Sequence, residues 1–488
     1  MFKRRHRRGM KVLFVAAEVA PFSKTGGLGD VSRALPAALA RLGHEVLVVT
    51  PRYAQVDPHG LTALGEEVSL RFPFGTVRAP LLESRPSPRH RVVFLENDAL
   101  YSRTGIYGDA DGDYRDNARR FGFLALGALA AAEALKFDAD VVHLNDWQTG
   151  LAAPALKMAY AERALGHAKC IFTIHNLAYQ GLFPASTMAE LGLPESLFHP
   201  EGLEFYGSVN FLKAGLVYAD ALTTVSRRYA EEIQTAELGC DLDGLLRARR
   251  GVLTGILNGA DYQEWDPAND RLIAARYSPD ALGGKADCKS ALRRHFGLNR
   301  PGDRPLFGLV SRLNEQKGID LLLAALPQML AQDDLDVVLL GNGERRYEDG
   351  LHELARRFPG QVGVQVGFDI RLSHVVEAGS DFFLMPSRYE PCGLNQLYSL
   401  RYGTPPIVRA TGGLDDTVID AALPGGTGFK FNDFDVPGLL WAMGEARALY
   451  RRPERMLALR VRGMRQNFSW DVSADRYAQL YRHGRTAA

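Results

Sequence analysis

The sequence predicts an α/β protein built from two similar-sized halves, and three observations support this fold class. The chain has 488 residues, which is more than one ordinary hydrophobic core organises. It opens with an apolar strand, a glycine-rich turn, a helix and a second strand over residues 11–50. Strand, turn and helix begin again over residues 306–330. This alternation predicts parallel sheets, whose ligands lie beyond the carboxyl ends of the strands.

The composition excludes several functional classes. Hydrophobic residues make up 46% of the chain and charged residues 24%, as in soluble globular proteins. With 58 basic and 57 acidic residues, the net charge of +1 gives no reason to expect a nucleic acid or a membrane as partner. The four cysteines show neither paired nor zinc-binding spacing, which predicts a reduced, cytoplasmic protein without a metal site. The longest apolar run, residues 121–135, is shorter than the ~20 residues of a membrane span and predicts a buried helix.

The first nine residues predict a basic disordered tail. Residues 3–8 are all Lys, Arg or His, and the apolar run that follows them is too short for a secretory signal. The sequence leaves two candidate translation starts, Met1 and Met10.

The most informative stretch is residues 387–416, which follows the apolar run Phe382–Met385. A turn containing proline and glycine, residues 390–393, leads into a helical segment, residues 394–402. Glu390 is its candidate catalytic side chain. Free N–H groups at the start of a helix favour an anion such as a phosphate. The candidate binding residues of this stretch are Cys392, Gly393, Leu394, Asn395, Thr411 and Gly412.

Two cations, Arg312 and Lys317, stand five positions apart between the strand at 306–310 and the helix at 319–330. A helix start already carries partial positive charge, so added cations are unfavourable there unless an anion binds. The pair therefore predicts a diphosphate site, with Arg binding as a fork and Lys as a point charge.

The first half repeats the pattern of polar residues at strand ends. Lys24 and Gly27 lie in the glycine-rich turn, where the backbone can approach an anion closely. Asp146 follows the strand at 141–144, and His175 and Asn176 follow the strand at 170–174. Asn258 lies in a glycine- and asparagine-rich turn, residues 255–261, which suits a linker between domains.

Two metal motifs fail on inspection. A calcium loop starting at Asp109 needs Gly and Glu at its sixth and twelfth positions, but Tyr114 and Arg120 stand there. Asp241 and Asp243 form an Asp-x-Asp pair that does not follow a strand, so we interpret it as coincidental.

Five sequence motifs together resemble those of one protein family. KTGGL at 24–28, HNLAYQG at 175–181, ILNG at 256–259, EPCGL at 390–394 and TGGL at 411–414 resemble, in this order, the signatures of glycogen and bacterial starch synthases, which are retaining glycosyltransferases of the GT-B type. The wider superfamily usually has a second glutamate eight positions after the first. Tyr398 stands there in this chain, a replacement that is ordinary in this branch.

The resemblance runs from Met10 over nearly the whole chain and implies a fold and domain limits. Two Rossmann-like domains would face each other across a deep cleft. Residues 10–255 would form the acceptor side, and residues 256–467 the side that binds the nucleotide-sugar donor. Residues 468–488 would form a helix packing back on the first domain.

The resemblance also implies the reaction. Glucose would pass from ADP-glucose to the non-reducing end of glycogen or another α-1,4-glucan, with retention of the anomeric configuration and without a metal or other cofactor. It assigns Arg312 and Lys317 to the leaving diphosphate and His175 to the reacting sugar. It places Lys24 near the nucleotide's phosphates, Asp30 near the acceptor side and Asp146 on the acceptor or the glucose side. It also places Asn258 towards the donor glucose, Lys289 towards the donor and Phe368 against the adenine.

Several alternatives stay open from sequence. Retention is compatible with front-face attack or with a covalent double displacement, which needs a carboxylate nucleophile. A sister transferase with another donor, an inactive glucan-binding protein and a pyridoxal-phosphate-dependent phosphorylase are the rival functions. The sequence makes no prediction of oligomeric state.

Overall fold

The computed structural model describes residues 9–332 and 334–483. The predicted disordered tail lies outside this range except for Gly9. The chain divides into two compact units. Unit 1 comprises the residues up to Val225, Ala230–Gly259 and the residues from Trp470, and unit 2 comprises Ser226–Tyr229 and Ala260–Ser469.

Unit 1 is organised by a nine-stranded sheet of order β14-β13-β9-β8-β1-β2-β5-β4-β3. Neighbouring strands from β14 to β5 are parallel, and β4 and β3 complete the sheet as antiparallel strands. The strands are β1 (Lys11–Val15), β2 (Glu45–Pro51), β3 (Thr62–Phe72), β4 (Gly75–Ser87), β5 (His90–Leu95), β6 (Gly108–Asp109), β7 (Gly112–Asp113), β8 (Val141–Asn145), β9 (Lys169–Ile174), β10 (Leu182–Pro184), β11 (Glu204–Phe205), β12 (Ser208–Asn210), β13 (Ala221–Thr224) and β14 (Leu253–Gly255).

The helices before residue 260 lie between or after these strands in the chain. They are α1 (Gly27–Arg41), α2 (Asp98–Tyr101), α3 (Asn117–Ala134), α4 (Ala152–Met158), α5 (Thr187–Leu191), α6 (Phe211–Tyr218), α7 (Arg227–Glu232) and α8 (Asp243–Ala248). The buried alanine-rich helix predicted for residues 121–135 is confirmed as α3, whose residues are mostly buried. A helix that is apolar on all sides belongs in an interior.

Unit 2 is a six-stranded sheet of order β17-β16-β15-β18-β19-β20, with every neighbouring pair parallel. Parallel sheets are covered on both faces, which explains the uninterrupted apolar strands. The elements are β15 (Leu306–Leu313), β16 (Asp336–Gly343), β17 (Val362–Val366), β18 (Phe382–Met385), β19 (Pro406–Arg409) and β20 (Phe429–Phe431), with α9 (Gly284–His295), α10 (Ile319–Leu330), α11 (Arg345–Arg357), α12 (Ile370–Gly379), α13 (Asn395–Arg401), α14 (Gly412–Thr417), α15 (Val436–Tyr450) and α16 (Pro453–Met464).

The carboxyl end of β15 differs most consequentially from the prediction. The sequence predicts that the strand ends at Val310, but β15 continues to Leu313, paired with Gly343 of β16. The polar residues at the end of β15 give no apolar pattern from which this longer strand could be predicted. They stay in register because their backbone groups pair with β16, not because their side chains are buried. Arg312 therefore stands on the end of a strand and not in the turn.

The last helix, α17 (Trp470–His483), belongs to unit 1. Trp470, Tyr477 and Tyr481 are buried in the same core as Val31 and Leu35 of α1. Among residues 9–332 and 334–483, no helix is long and apolar enough to cross a membrane.

His143 joins α17 to the sheet and gives the fold a pH dependence. The fully buried ring lies on β8, with Nδ1 2.7 Å from the Tyr481 hydroxyl and Nε2 2.7 Å from Thr173 Oγ1. Burial lowers the pKa of His143 from 6.5 to about 3. Its contribution to stability is therefore present above pH 6.5 and is lost as the pH falls towards 3, because the unfolded chain binds the proton first.

We expect His143→Gln to reduce the pH dependence of unit 1 stability. Between pH 6.5 and about 3, the free energy of unfolding of the native chain should fall more steeply, by up to about 1.4 kcal/mol per pH unit. Urea unfolding at a series of pH values, followed by tyrosine and tryptophan fluorescence, measures the difference. Equal slopes for both proteins would mean that His143 titrates normally in the folded state.

Candidate active site

Most candidate residues of unit 2 lie at one edge of its sheet. All six strands are parallel, so their carboxyl ends share that edge. Arg312 lies at the end of β15 and Lys317 follows that strand. Phe368 follows β17, Glu390 and Gly393 follow β18, and Thr411 and Gly412 follow β19.

Lys317 and Glu390 form the centre of this group. Lys317 Nζ lies 2.5 Å from Glu390 Oε2, and both side chains are largely buried. Ser387, a fully buried residue that sequence reasoning missed, donates its hydroxyl to the same carboxylate oxygen at 3.1 Å. Asn314 accepts a hydrogen bond from the Lys317 N–H and fixes the turn that carries the lysine. A charged hydrogen-bonded pair of this kind is strong and directional.

Arg312 supplies a second cation at the same edge. Its side chain is exposed, and it forms no hydrogen bond or ion pair with any residue in the described part of the chain. Lys317 is held in place by its ion pair with Glu390, whereas the Arg312 side chain keeps its N–H donors for a ligand. Its fork of N–H donors matches a phosphate.

The loops after β18 and β19 are packed backbone against backbone. Gly412 has φ +45°, and a Cβ there would stand 1.9 Å from the Glu390 carbonyl oxygen. The Gly413 N–H donates to that same oxygen at 3.0 Å. Only glycine permits this approach, so the turn at 411–413 fixes the backbone of the catalytic candidate.

Three other residues of this stretch have structural roles. Asn395 donates its side-chain amide to the Val310 carbonyl at 2.6 Å, and Cys392 is buried. Gln396, a second residue missed from sequence, donates to the carbonyls of Cys392 and Gly393. These bonds hold the start of α13, where Leu394 forms no side-chain cap and the first N–H groups remain directed out of the helix.

Tyr398, which replaces the second glutamate of the wider superfamily, packs into unit 2. Its ring stacks on Trp265, with 4.2 Å between centroids and 6° between planes. Trp265 in turn stacks on His374 at 3.8 Å. A carboxylate has no ring for such a stack, so the replacement anchors α13 through aromatic packing.

Phe368 and Lys289 differ in where they lie. Phe368 is 78% exposed beyond the carboxyl end of β17. This exposure is what we expect of an aromatic ring on which a flat ligand stacks. Lys289 Nζ lies 2.7 Å from Asp381, and Asp381 precedes β18 and accepts the N–H of Leu306 at the start of β15. The structure thus places Lys289 at the amino edge of the sheet and does not bring it to the other candidates.

In unit 1, the glycine-rich turn is held by Glu18, a residue that the sequence analysis did not identify. Its carboxylate accepts hydrogen bonds from Thr25 N, Thr25 Oγ1 and Gly26 N, at 2.6, 2.8 and 3.2 Å. The Tyr107 hydroxyl donates to it at 2.6 Å. Lys24 and Asp30 form an ion pair of 2.8 Å across the start of α1, where Gly27 is the first residue.

Asp146, His175 and Asn176 are brought together by the neighbouring strands β8 and β9. Asp146 Oδ1 accepts the His175 N–H at 2.7 Å, and the Asn176 N–H also donates to this carboxylate. Asp146 has φ +56° and ψ −178°, a backbone region that strains any residue with a Cβ. Burial raises the pKa of Asp146 to about 7.

His175 is a neutral hydrogen-bonding group. Its Nε2 lies 3.0 Å from Asn145 Oδ1, and burial lowers the pKa of the ring to about 3. A neutral imidazole can accept or donate at a sugar hydroxyl without drawing in an anion.

Two buried amides in unit 1 have unsatisfied oxygens. The side-chain oxygens of Asn258 and Gln148 form no hydrogen bond with any of residues 9–332 and 334–483. Buried polar atoms are nearly always paired, so both are suited to hydroxyl groups of a ligand. Asn258 was predicted from its motif, whereas Gln148 follows Asp146 in the chain and was missed.

No group of three or more His, Cys, Asp or Glu side chains that could hold a metal ion occurs within residues 9–332 and 334–483.

Comparisons with known proteins agree over the whole chain. A family model described as the starch synthase catalytic domain matches residues 11–248, and a model described as glycosyl transferases group 1 matches residues 292–449. A glycogen synthase from Myxococcus xanthus is 57% identical, with 97% of this chain and 99% of the relative covered. One from Anaeromyxobacter sp. is 52% identical with the same coverage.

Solved structures give the same result. The catalytic domain of starch synthase IV from Arabidopsis thaliana, bound to ADP and acarbose, has a TM-score of 0.90 and 33% identity, covering 98% of this chain and 99% of that one. A sucrose-phosphate synthase from Thermosynechococcus elongatus, with a TM-score of 0.59 and 21% identity, shares the fold. The predicted GT-B fold class and the predicted glycosyltransferase activity are confirmed. The chain belongs to the glycogen and starch synthase family of glycosyltransferases.

Proposed function

We propose that this chain transfers glucose from ADP-glucose to the non-reducing end of an α-1,4-glucan such as glycogen. The bond between glucose C1 and the diphosphate oxygen breaks, and the acceptor's 4-hydroxyl oxygen forms the new bond at C1 on the same face. ADP leaves, and the hydroxyl proton passes to it or to water. The fixed Lys317–Glu390–Ser387 cluster is the observation that carries this proposal. At the same sheet edge lies Arg312, whose side chain has no partner in the described part of the chain.

The cations act on the leaving group. Negative charge grows on the diphosphate as the C1–O bond breaks, and fixed positive groups stabilise it without reorganising. Arg312 and Lys317 supply this charge from the chain itself, which is why we expect the reaction to be independent of a divalent metal. Glu390 orients Lys317 and offers its carboxylate to the sugar hydroxyls. Phe368 presents an exposed ring for the adenine.

The residues of unit 1 act on the sugar and the acceptor. His175, Asn176 and Asn258 offer neutral donors and acceptors to hydroxyl groups. Two buried carboxylates of unit 1 are held by hydrogen bonds: Glu18 accepts four, and Asp146 accepts two from backbone N–H groups. A nucleophile needs a free lone pair, and the four hydrogen bonds at Glu18 occupy the acceptor sites of that carboxylate. Glu18 is therefore unsuited to a covalent intermediate, and we propose front-face attack at C1.

The domain limits 10–255, 256–467 and 468–488, and a cytoplasmic location, remain part of this proposal. The change of compact unit at Gly259/Ala260 and at Ser469/Trp470 supports the limits. Subcellular fractionation of the source cells tests the location.

The first experiment compares glucosyl transfer to glycogen from ADP-glucose and from UDP-glucose, with and without EDTA. We expect a strong preference for ADP-glucose that EDTA does not change. Transfer that stops with EDTA would overturn the metal-independent mechanism, and preference for UDP-glucose would overturn the donor. Glycogen binding without transfer from either donor would instead indicate a glucan-binding protein.

A further inference from the structure

The hairpin formed by β11 and β12 has an unusual residue at its tip. Tyr206 and Gly207 make the two-residue connection, with φ of +48° and +80°. Such turns favour Asn-Gly, because both positions need positive φ. A tyrosine with a bulky side chain is disfavoured at this backbone angle. Its ring is nonetheless 81% exposed, so packing into the core does not explain why it is there.

Hydrogen bonds from neighbouring residues hold this turn in place. The Gly207 N–H donates to the Glu204 carboxylate at 2.7 Å. The largely buried Lys213 donates its ammonium group to the carbonyls of Pro200 and Glu204, each at 2.5 Å. A strained residue persists where its surroundings fix it, and such residues concentrate at ligand sites. The hairpin thus holds an exposed aromatic ring in one place.

Hydrogen bonds tie the hairpin to the loop that carries His175. Asn210, the last residue of β12, donates its side-chain amide to Gln180 at 2.6 Å. The N–H groups of Phe211 and Leu212 donate to the carbonyls of Gly181 and Gln180. Residues 175–181 and the hairpin therefore form one rigid piece of unit 1.

The exposed apolar surface of this piece extends beyond Tyr206. Tyr179 is 53% exposed in the loop, and Leu182 is 51% exposed at the start of β10, which pairs with β12. Aromatic side chains offer a flat apolar face and a polar tip, which matches a sugar ring with its apolar C–H face and peripheral hydroxyls. A stable protein interface needs about 20–30 residues from each partner, so three exposed side chains are too few to indicate a protein partner.

We propose that Tyr206 is a stacking platform for an α-1,4-glucan chain, forming a remote subsite that retains long acceptors on unit 1. The inference rests on the proposed function, because it takes the glucan as the acceptor. A subsite outside the reacting centre raises affinity for polymeric acceptors over short ones, since only a long chain reaches it.

Tyr206→Asn is the decisive variant, because asparagine adopts positive φ more readily and keeps the turn while the ring is lost. We expect its melting temperature to be no lower than that of the native chain. Its affinity for glycogen in donor-free co-sedimentation should fall about tenfold. The ratio of kcat/KM for glycogen to that for maltotriose should fall by a similar factor.

Two variants complete the test. Tyr206→Trp keeps an aromatic face and should bind glycogen like the native chain. Trp441→Ser removes a comparably exposed ring, 56% accessible on α15, and should change none of these quantities. Unchanged glycogen binding in Tyr206→Asn, or loss of binding in Tyr206→Trp, would overturn the subsite. Donor-free binding separates the two hypotheses: absent transfer with Tyr206-dependent binding refutes the proposed reaction and leaves the subsite standing.

Discussion

Turnover in Glu390→Gln is expected to fall by about 10²–10³-fold while the protein remains folded. The amide has the shape of the carboxylate and still accepts hydrogen bonds from Lys317 and Ser387. It lacks the negative charge that orients the lysine and that meets the sugar as positive charge develops on it. Initial rates with ADP-glucose and glycogen, together with the melting temperature, measure the two effects separately.

Glu315→Gln is the matched control for this prediction. Glu315 lies in the turn that precedes α10, is exposed, and contacts Arg388 at 3.4 Å. The substitution makes the same change of charge close to Lys317 and should leave turnover within about twofold, as exposed ion pairs contribute little. If Glu390→Gln retained near-native turnover, Glu390 would have no catalytic role.

Asp146→Asn should lower turnover about 10²-fold, by disturbing the residues that face the sugar. The carboxylate accepts N–H groups from both His175 and Asn176. An amide accepts only on its oxygen and brings two N–H donors into a buried loop that already supplies N–H donors. Since kcat for short and long acceptors depends on the same loop, both should fall together.

The same variant should also change how the free energy of unfolding depends on pH. Burial raises the pKa of Asp146 from 3.8 in the unfolded chain to about 7. Its contribution to stability is therefore present below pH 4 and is lost as the pH rises through 7. Asparagine does not titrate. The free energy of unfolding of Asp146→Asn, relative to the native chain, should thus rise between pH 4 and 7 by up to about 1.4 kcal/mol per pH unit.

Urea titrations at pH 4, 5.5, 7 and 8 measure this difference. Asp138→Asn, at an exposed carboxylate that lies 3.7 Å from His167, should track the native chain at every pH. A difference between native chain and Asp146→Asn that does not vary with pH would mean that Asp146 titrates normally when folded.

The features that sequence predicted well depend on local patterns. The limits predicted for β18, residues 382–385, are those observed, because a buried parallel strand is an unbroken apolar run that ends where polar residues begin. Since parallel strands share one carboxyl edge, Arg312, Lys317 and Glu390 could be expected near one another without knowledge of their contacts. The 2.5 Å pair is the result of that topology.

The features that sequence missed depend on distant parts of the chain. Glu18 resembled a strand terminator, and only the fold brings Tyr107 to it. Lys289 was assigned by resemblance, yet its partner Asp381 stands far along the chain, at the amino edge of the sheet. The hairpin β3–β4 has largely exposed faces and left no apolar signal to predict it.

The position of α17 has a consequence for biosynthesis. Its aromatic residues complete the core that begins with β1 and α1, yet Ala260–Ser469 lie between the two parts of unit 1. A ribosome extends the chain from its amino end, and domains tend to fold as they emerge. The sheet of unit 1 therefore emerges first but waits, with the α17-binding surface of α1 uncovered, until all of unit 2 has been translated. The second half can reach its native state before the first, which makes this interval the one in which the nascent chain most needs protection from aggregation.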